Sequence, residues 1–113
     1  YLHVEDAVDG YLRLADPTLN VPGPTNFGTG VATSVLEVVE DVSRAVSRFM
    51  GTGAWSIELD VRDEPSARGE IREQCLNSER ARTILGWRPK RTLASGLDET
   101  VPWYADYLGV GRG

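Results

Sequence analysis

The chain has 113 residues, 41% of them hydrophobic and 26% charged, which is one domain's worth and enough to bury roughly two-thirds of its unfolded surface. Seventeen acidic against twelve basic residues leave a net charge of −5, which opposes attraction to nucleic acid or anionic lipid, so neither is expected as a partner. No apolar run approaches the roughly 20 residues of a membrane span and the start carries no signal-peptide blocks, so the expectation is a cytoplasmic protein.

Tyr1 to Val4 alternates apolar and polar residues, as though the sequence opened within or just before a strand. Asp6 is then the predicted cap of a helix whose apolar stripe is Ala7, Val8, Tyr11, Leu12 and Ala15, ended by Asp16 and Pro17. Pro22, Gly23 and Pro24 form a linker, and Thr25 to Phe27 is a short strand running into the turn Gly28-Thr29-Gly30. Ser34 and Glu37 have capping-box spacing, and Val38, Val39, Val42, Ala45, Val46 and Phe49 repeat at helical spacing before Gly51. The six valines between Val31 and Val46 lower helix propensity, so this helix needs a neighbour to pack on.

Trp55, Ile57, Leu59 and Val61 alternate with Ser56, Glu58 and Asp60, the period of a strand with one buried face. Asp63 to Gly69 reads as a polar loop and Ile71 to Leu76 as irregular. Asn77 or Ser78 caps a short helix carrying Ala81, Ile84 and Leu85, and Gly86 offers its left-handed stop. Trp87 follows, Pro89 prevents the helix from resuming, and Thr92 caps a last helix with Leu93, Leu97, Val101, Tyr104 and Leu108 on one face. Pro102 removes an amide donor and presses on the carbonyl of Asp98, which predicts a kink or break within Asp98 to Pro102. Cys75 and His3 are the only residues of their types; they exclude an internal disulfide and a zinc site built from Cys and His alone, and both read as packing residues.

The segment SERARTILGWRPKRTLASGLDETVPWY fits a pattern S-x-K/R-A-x-x-x-L-G-W-x-P, a spacer, then L-x-x-G-L-x-x-T-x-x-W-Y. With YLHVEDAVDGYL, NFGTGVATSVLEVV and RGEIREQ in the same order, the chain resembles the C-terminal portion of extended short-chain dehydrogenase/reductases, the NAD-dependent epimerase/dehydratase family, above all its nucleotide-sugar 4,6-dehydratases and 4-epimerases. The resemblance implies an α/β fold, the C-terminal part of an extended Rossmann-type dehydrogenase with short strands and about four helices. It implies that residues 1–30 form the edge of a cofactor-binding sheet that is otherwise missing, as strand, helix and strand, and that residues 31–113 form the substrate-binding domain. It further implies a complete enzyme, a homodimer, that uses NAD or NADP on a nucleotide sugar in carbohydrate biosynthesis, as a lyase or an isomerase. The alternative is a noncatalytic nucleotide-sugar-binding or protein-interaction module without the redox half.

The family's Tyr-x-x-x-Lys pair has no counterpart, because the only lysine is Lys90 and the residue four places before it is Gly86. No catalytic residue, cofactor-binding residue or metal ligand is therefore assigned, no cofactor is expected on this chain alone, and the isolated 113 residues are predicted inactive. Gly28-Thr29-Gly30 lacks the third glycine of a dinucleotide loop, with Thr33 in its place, and reads as an ordinary turn. Arg68-Gly69-Glu70 sits in the polar loop, where an arginine fork matches two phosphate oxygens. The resemblance assigns Arg68, with Arg72 close by, to the diphosphate of the substrate and Glu70 to a ribose hydroxyl or to orienting the arginine.

Overall fold

A computed structural model describes residues 1–51, 58–60 and 75–110. The predicted strand core at Trp55, Ile57 and Val61, the loop from Asp63 to Gly69, and the site residues Arg68, Glu70 and Arg72 lie outside the described residues. Within them are four helices: α1 (Val4–Leu14), α2 (Val35–Met50), α3 (Glu79–Leu85) and α4 (Leu93–Tyr107). α1 packs on α3 and α2 packs on α4.

No strand forms among the described residues, so the expected strands at Tyr1 to Val4 and Thr25 to Phe27 are corrected: residues 1–3 and 25–27 are irregular and Val4 opens α1. Alternation makes a strand only where a neighbouring backbone completes the ladder, and none does so here. Residues 1–3 lead directly into α1, whose cap is His3 rather than Asp6: His3 Nδ1 accepts from the amide of Glu5 at 3.3 Å. Asp6 falls in the first turn and is buried. The apolar stripe of α1 does not face the core either, since Val8, Tyr11, Leu12 and Ala15 are exposed.

The local signals elsewhere act as their chemistry dictates. Ser34 and Glu37 close a reciprocal capping box on α2, and Gly51 ends it at φ 66°. Asn77 Oδ1 accepts from the amide of Glu79 at 2.8 Å, which frees the Ser78 hydroxyl to donate 3.0 Å to the carbonyl of Gly28. Gly86 stops α3 at φ 61° and lets the amide of Trp87 turn back 3.1 Å to the carbonyl of Ala81. Thr92 caps α4 in a capping box with Ser95.

α4 continues without interruption through Pro102, so no break occurs between Asp98 and Pro102. Tertiary contact outweighs propensity there: Val101 and Pro102 line the seam with Ala45 and Phe49 of α2, and Arg48 of α2 binds Asp98 at 2.6 Å. Beyond the seam the predicted stripe emerges into solvent at Tyr104 and Leu108, beside Trp103, which stacks on Tyr107 with ring centroids 5.4 Å apart. Ile84 and Cys75, expected to pack, are exposed as well.

The centre is small. Ala81, Leu85 and Trp87 are buried together, with Leu2, Leu14, Val21 and Phe27 against them. Phe27 meets the Trp87 indole edge-on at a centroid distance of 5.0 Å. α1 passes so close to Phe27 that a Cβ on Gly10 would lie 2.7 Å from its ring.

Candidate functional site

Asp6 organises the region where α1 meets the connector between α3 and α4. Its carboxylate is 1% exposed, and Oδ2 accepts the amides of Lys90 and Arg91, each at 3.0 Å. Its main-chain carbonyl accepts the Trp87 indole N–H at 3.0 Å. A carboxylate buried this way is stable because charge-assisted bonds replace the water it lost, and the connector from Trp87 to Arg91 is thereby fixed on α1. Arg13 repeats the device: it binds Asp9 at 2.9 Å and donates 2.9 Å to the carbonyl of Leu85, filling an orphan acceptor at the end of α3.

Arg91 stands between three carboxylates, at 2.8 Å from Glu99, 3.6 Å from Asp6, and in an ion pair with Glu5. The hydrogen bond to Glu99 is the main reason its already high pKa is raised further, and the same bond holds the Glu99 carboxyl below its ordinary range. A guanidinium so engaged is a structural clamp, not a free anion receptor.

Two clefts open around this centre. The larger, about 300 Å³, lies between Leu2, His3 and Thr29 on one side and Arg91, Leu93, Leu97 and Thr100 on the other. The second, about 200 Å³, is walled by Tyr1, Phe27, the backbone of Gly28 to Gly30, Cys75 and Leu76. A Cβ on Gly28 would lie 3.2 Å from the Leu76 Cβ, so the glycine turn and the strip after residue 74 are in direct contact. α2 does not start until Val35, and Thr29 Oγ1 instead accepts from the amide of Val31 at 3.3 Å, so the glycines form a turn rather than a helix-borne phosphate cradle.

Sequence reasoning missed Asp6 as a clamp because its partners lie 84 and 85 residues away. The signal that was available is an acid in the first turn of a helix whose cap is already supplied by His3. The residues expected to bind substrate, Arg68, Glu70 and Arg72, precede Cys75 and Leu76 of the smaller cleft by a few residues of sequence. No group of metal-binding side chains occurs among the described residues, and no described helix is long and apolar enough to cross a membrane.

The sequence is similar to known proteins over most of its length. The chain is 32% identical over 92% of its length to a UDP-glucose 4-epimerase of Mycolicibacterium smegmatis, covering 30% of that protein. The chain is homologous to a part of the extended short-chain dehydrogenase/reductase epimerases. It is also similar to a putative GDP-L-fucose synthase 2 of Arabidopsis thaliana, at 32% identity over 94% of the chain and 29% of the relative. A UDP-glucose 4-epimerase of Bacillus subtilis is 30% identical over 91% of the chain and 28% of the relative. The chain thus spans somewhat under a third of the length of the curated relatives it matches. No family model matches the chain, and no solved structure matches it significantly.

Proposed function

We propose that this chain is the nucleotide-sugar-holding portion of an NAD(P)-dependent 4-epimerase or 4,6-dehydratase, and that hydride transfer belongs to a cofactor portion supplied by the rest of the enzyme. The similarity over more than nine-tenths of the chain to a UDP-glucose 4-epimerase carries the reading. Relatives named for UDP-glucose and for GDP-L-fucose share the nucleoside diphosphate sugar, so the diphosphate is the element a common site would hold. The chain's own chemistry is consistent: its one lysine, Lys90, lies 3.8 Å from Asp9 in a structural ion pair, and no tyrosine precedes it by four residues.

In this reading residues 1–30, irregular on either side of α1, lie against the cofactor portion, and residues 31–113 hold substrate. The smaller cleft takes the nucleotide; its lining residues Cys75 and Leu76 follow Arg68, Glu70 and Arg72 closely in sequence. Arg68 binds the diphosphate with a two-pronged contact, and Glu70 accepts from a ribose hydroxyl or orients the arginine.

The test joins the chain to the cofactor portion of the Mycolicibacterium smegmatis epimerase and follows UDP binding by calorimetry. Losing a charge-assisted contact worth about 1.5–3 kcal/mol, Arg68→Ala weakens binding by roughly ten- to a hundredfold, and Arg68→Lys recovers part of it. Unchanged affinity in both Arg68→Ala and Arg72→Ala would refute the diphosphate assignment.

A further inference from the structure

We infer that the larger cleft, beside Tyr1 and His3, is a pocket for a keto-bearing nucleobase such as uracil, thymine or guanine, and that His3 is the residue that reads the base. The inference rests on the nucleotide-sugar reading above and extends it from the diphosphate to the base. The smaller cleft, about 200 Å³, falls below the roughly 300–1,000 Å³ of small-molecule sites, so a nucleoside diphosphate seated there has to reach past it. Tyr1, Leu2 and Thr29 line both clefts, which makes the larger one, about 300 Å³, the continuation of the smaller.

The polar side chains on the far wall of the larger cleft are engaged within the chain. The Thr92 hydroxyl accepts from the amide of Ser95 at 3.2 Å, the Thr100 hydroxyl donates 2.8 Å to the carbonyl of Gly96, and Arg91 is held by three carboxylates. A hexose placed there would leave hydroxyls unpaired against Leu2, Leu93 and Leu97. A planar base suits the same walls, because it presents two apolar faces and confines its polar atoms to one edge.

His3 supplies the group that meets this edge. Its Nδ1 accepts the amide of Glu5 at 3.3 Å to cap α1, so in the neutral imidazole the proton sits on Nε2. Among the described residues Nε2 has no hydrogen-bond partner. A Cβ on Gly96 would lie 3.0 Å from Cδ2, the ring carbon next to Nε2, so the bare backbone of Gly96 is what lets this edge of the imidazole lie on α4 at the cleft. The helix cap thus fixes an N–H donor in the cleft wall. Such a donor pairs with the exocyclic oxygen of uracil, thymine or guanine and opposes the amino group that cytosine and adenine carry in its place. Tyr1, 63% exposed, offers a ring on which the base stacks.

Two measurements test this. In the chain alone, at about pH 8 where imidazole is neutral, long-range nitrogen–proton correlation spectra are expected to show His3 protonated on Nε2, and a proton on Nδ1 instead would overturn the inference. In the chimera with the Mycolicibacterium smegmatis cofactor portion, calorimetry is expected to show UDP and GDP binding more tightly than CDP and ADP. His3→Ser, whose hydroxyl still caps α1, weakens UDP by about three- to tenfold without weakening CDP, so the preference collapses. Tyr1→Ala weakens all four nucleotides alike. Equal affinity for the four in the unsubstituted chimera, or a preference that survives His3→Ser, would overturn the inference and leave the diphosphate assignment standing. A preference that His3→Ser abolishes while neither Arg68→Ala nor Arg72→Ala weakens binding does the reverse.

Discussion

The indole of Trp87 donates its N–H to the main-chain carbonyl of Asp6, 81 residues earlier, at 3.0 Å, while the same aspartate's carboxylate holds the two amides that end the connector. One residue of α1 thus fixes both the buried ring and the strip of chain that follows it. The stability of this half of the molecule depends on that pair.

Trp87→Ala removes the largest buried side chain and is expected to cost about 3–5 kcal/mol, the range for large aromatic truncations. Trp87→Phe keeps the edge contact with Phe27 but loses the N–H, for a smaller cost of about 1–3 kcal/mol. Urea unfolding followed by circular dichroism orders the three proteins.

Asp6→Ala leaves the amides of Lys90 and Arg91 without an acceptor and Arg91 short of a carboxylate. The expected loss is about 3 kcal/mol or more, and Asp6→Asn, which retains an acceptor oxygen, loses less. Equal midpoints for wild type and Asp6→Ala in urea would show that the clamp is not used.

Gly10→Ala opposes two effects. Alanine improves helix propensity by about 1 kcal/mol, but its Cβ would meet the Phe27 ring at 2.7 Å. Phe27 is wedged between Tyr11 and Trp87 and cannot move aside freely, so the clash wins and the melting midpoint falls. A raised midpoint would show that the ring yields.

Acid should weaken the fold. Glu37 is held below its ordinary pKa of 4.5 first by the Ser34 amide and then by the Ser34 hydroxyl, Glu99 first by its bond to Arg91, and Asp16 first by the Thr18 hydroxyl. In each case the unfolded chain binds the proton more readily, so the stabilisation is complete above about pH 4.5 and is lost as pH falls through the folded values. Glu37→Gln can still close the capping box without a charge, so its stability profile is expected to be flatter between pH 5 and about 3. Urea midpoints of wild type and variant across that range measure the difference.

The parts of this architecture that were legible in the sequence are those decided within one turn of chain. Ser34 with Glu37, Gly51, Gly86 and Thr92 act as predicted because a cap or a left-handed stop involves only neighbours. Asp6 was misread as a cap because aspartate suits that position equally well, and only the amides of Lys90 and Arg91 decide otherwise. The stripe of α1 was correctly periodic, but periodicity gives a face and not what covers it. A kink or break was expected between Asp98 and Pro102, and no break occurs where α4 meets α2. For the site, the motif around Trp87 led to the family, whereas the clefts beside it are made by residues that meet only after folding.

The distance in sequence between Asp6 and its partners has a consequence for synthesis. α1 is synthesised before its partners: the indole that binds the Asp6 carbonyl and the amides that bind its carboxylate follow more than eighty residues later. At about 5–20 residues per second, that is a wait of roughly 4 to 16 s. Throughout it Asp6 lacks the donors that hold it in the folded chain. This half of the chain therefore cannot close before Arg91 has been made, and a truncation just before Trp87 would leave Asp6 without its partners.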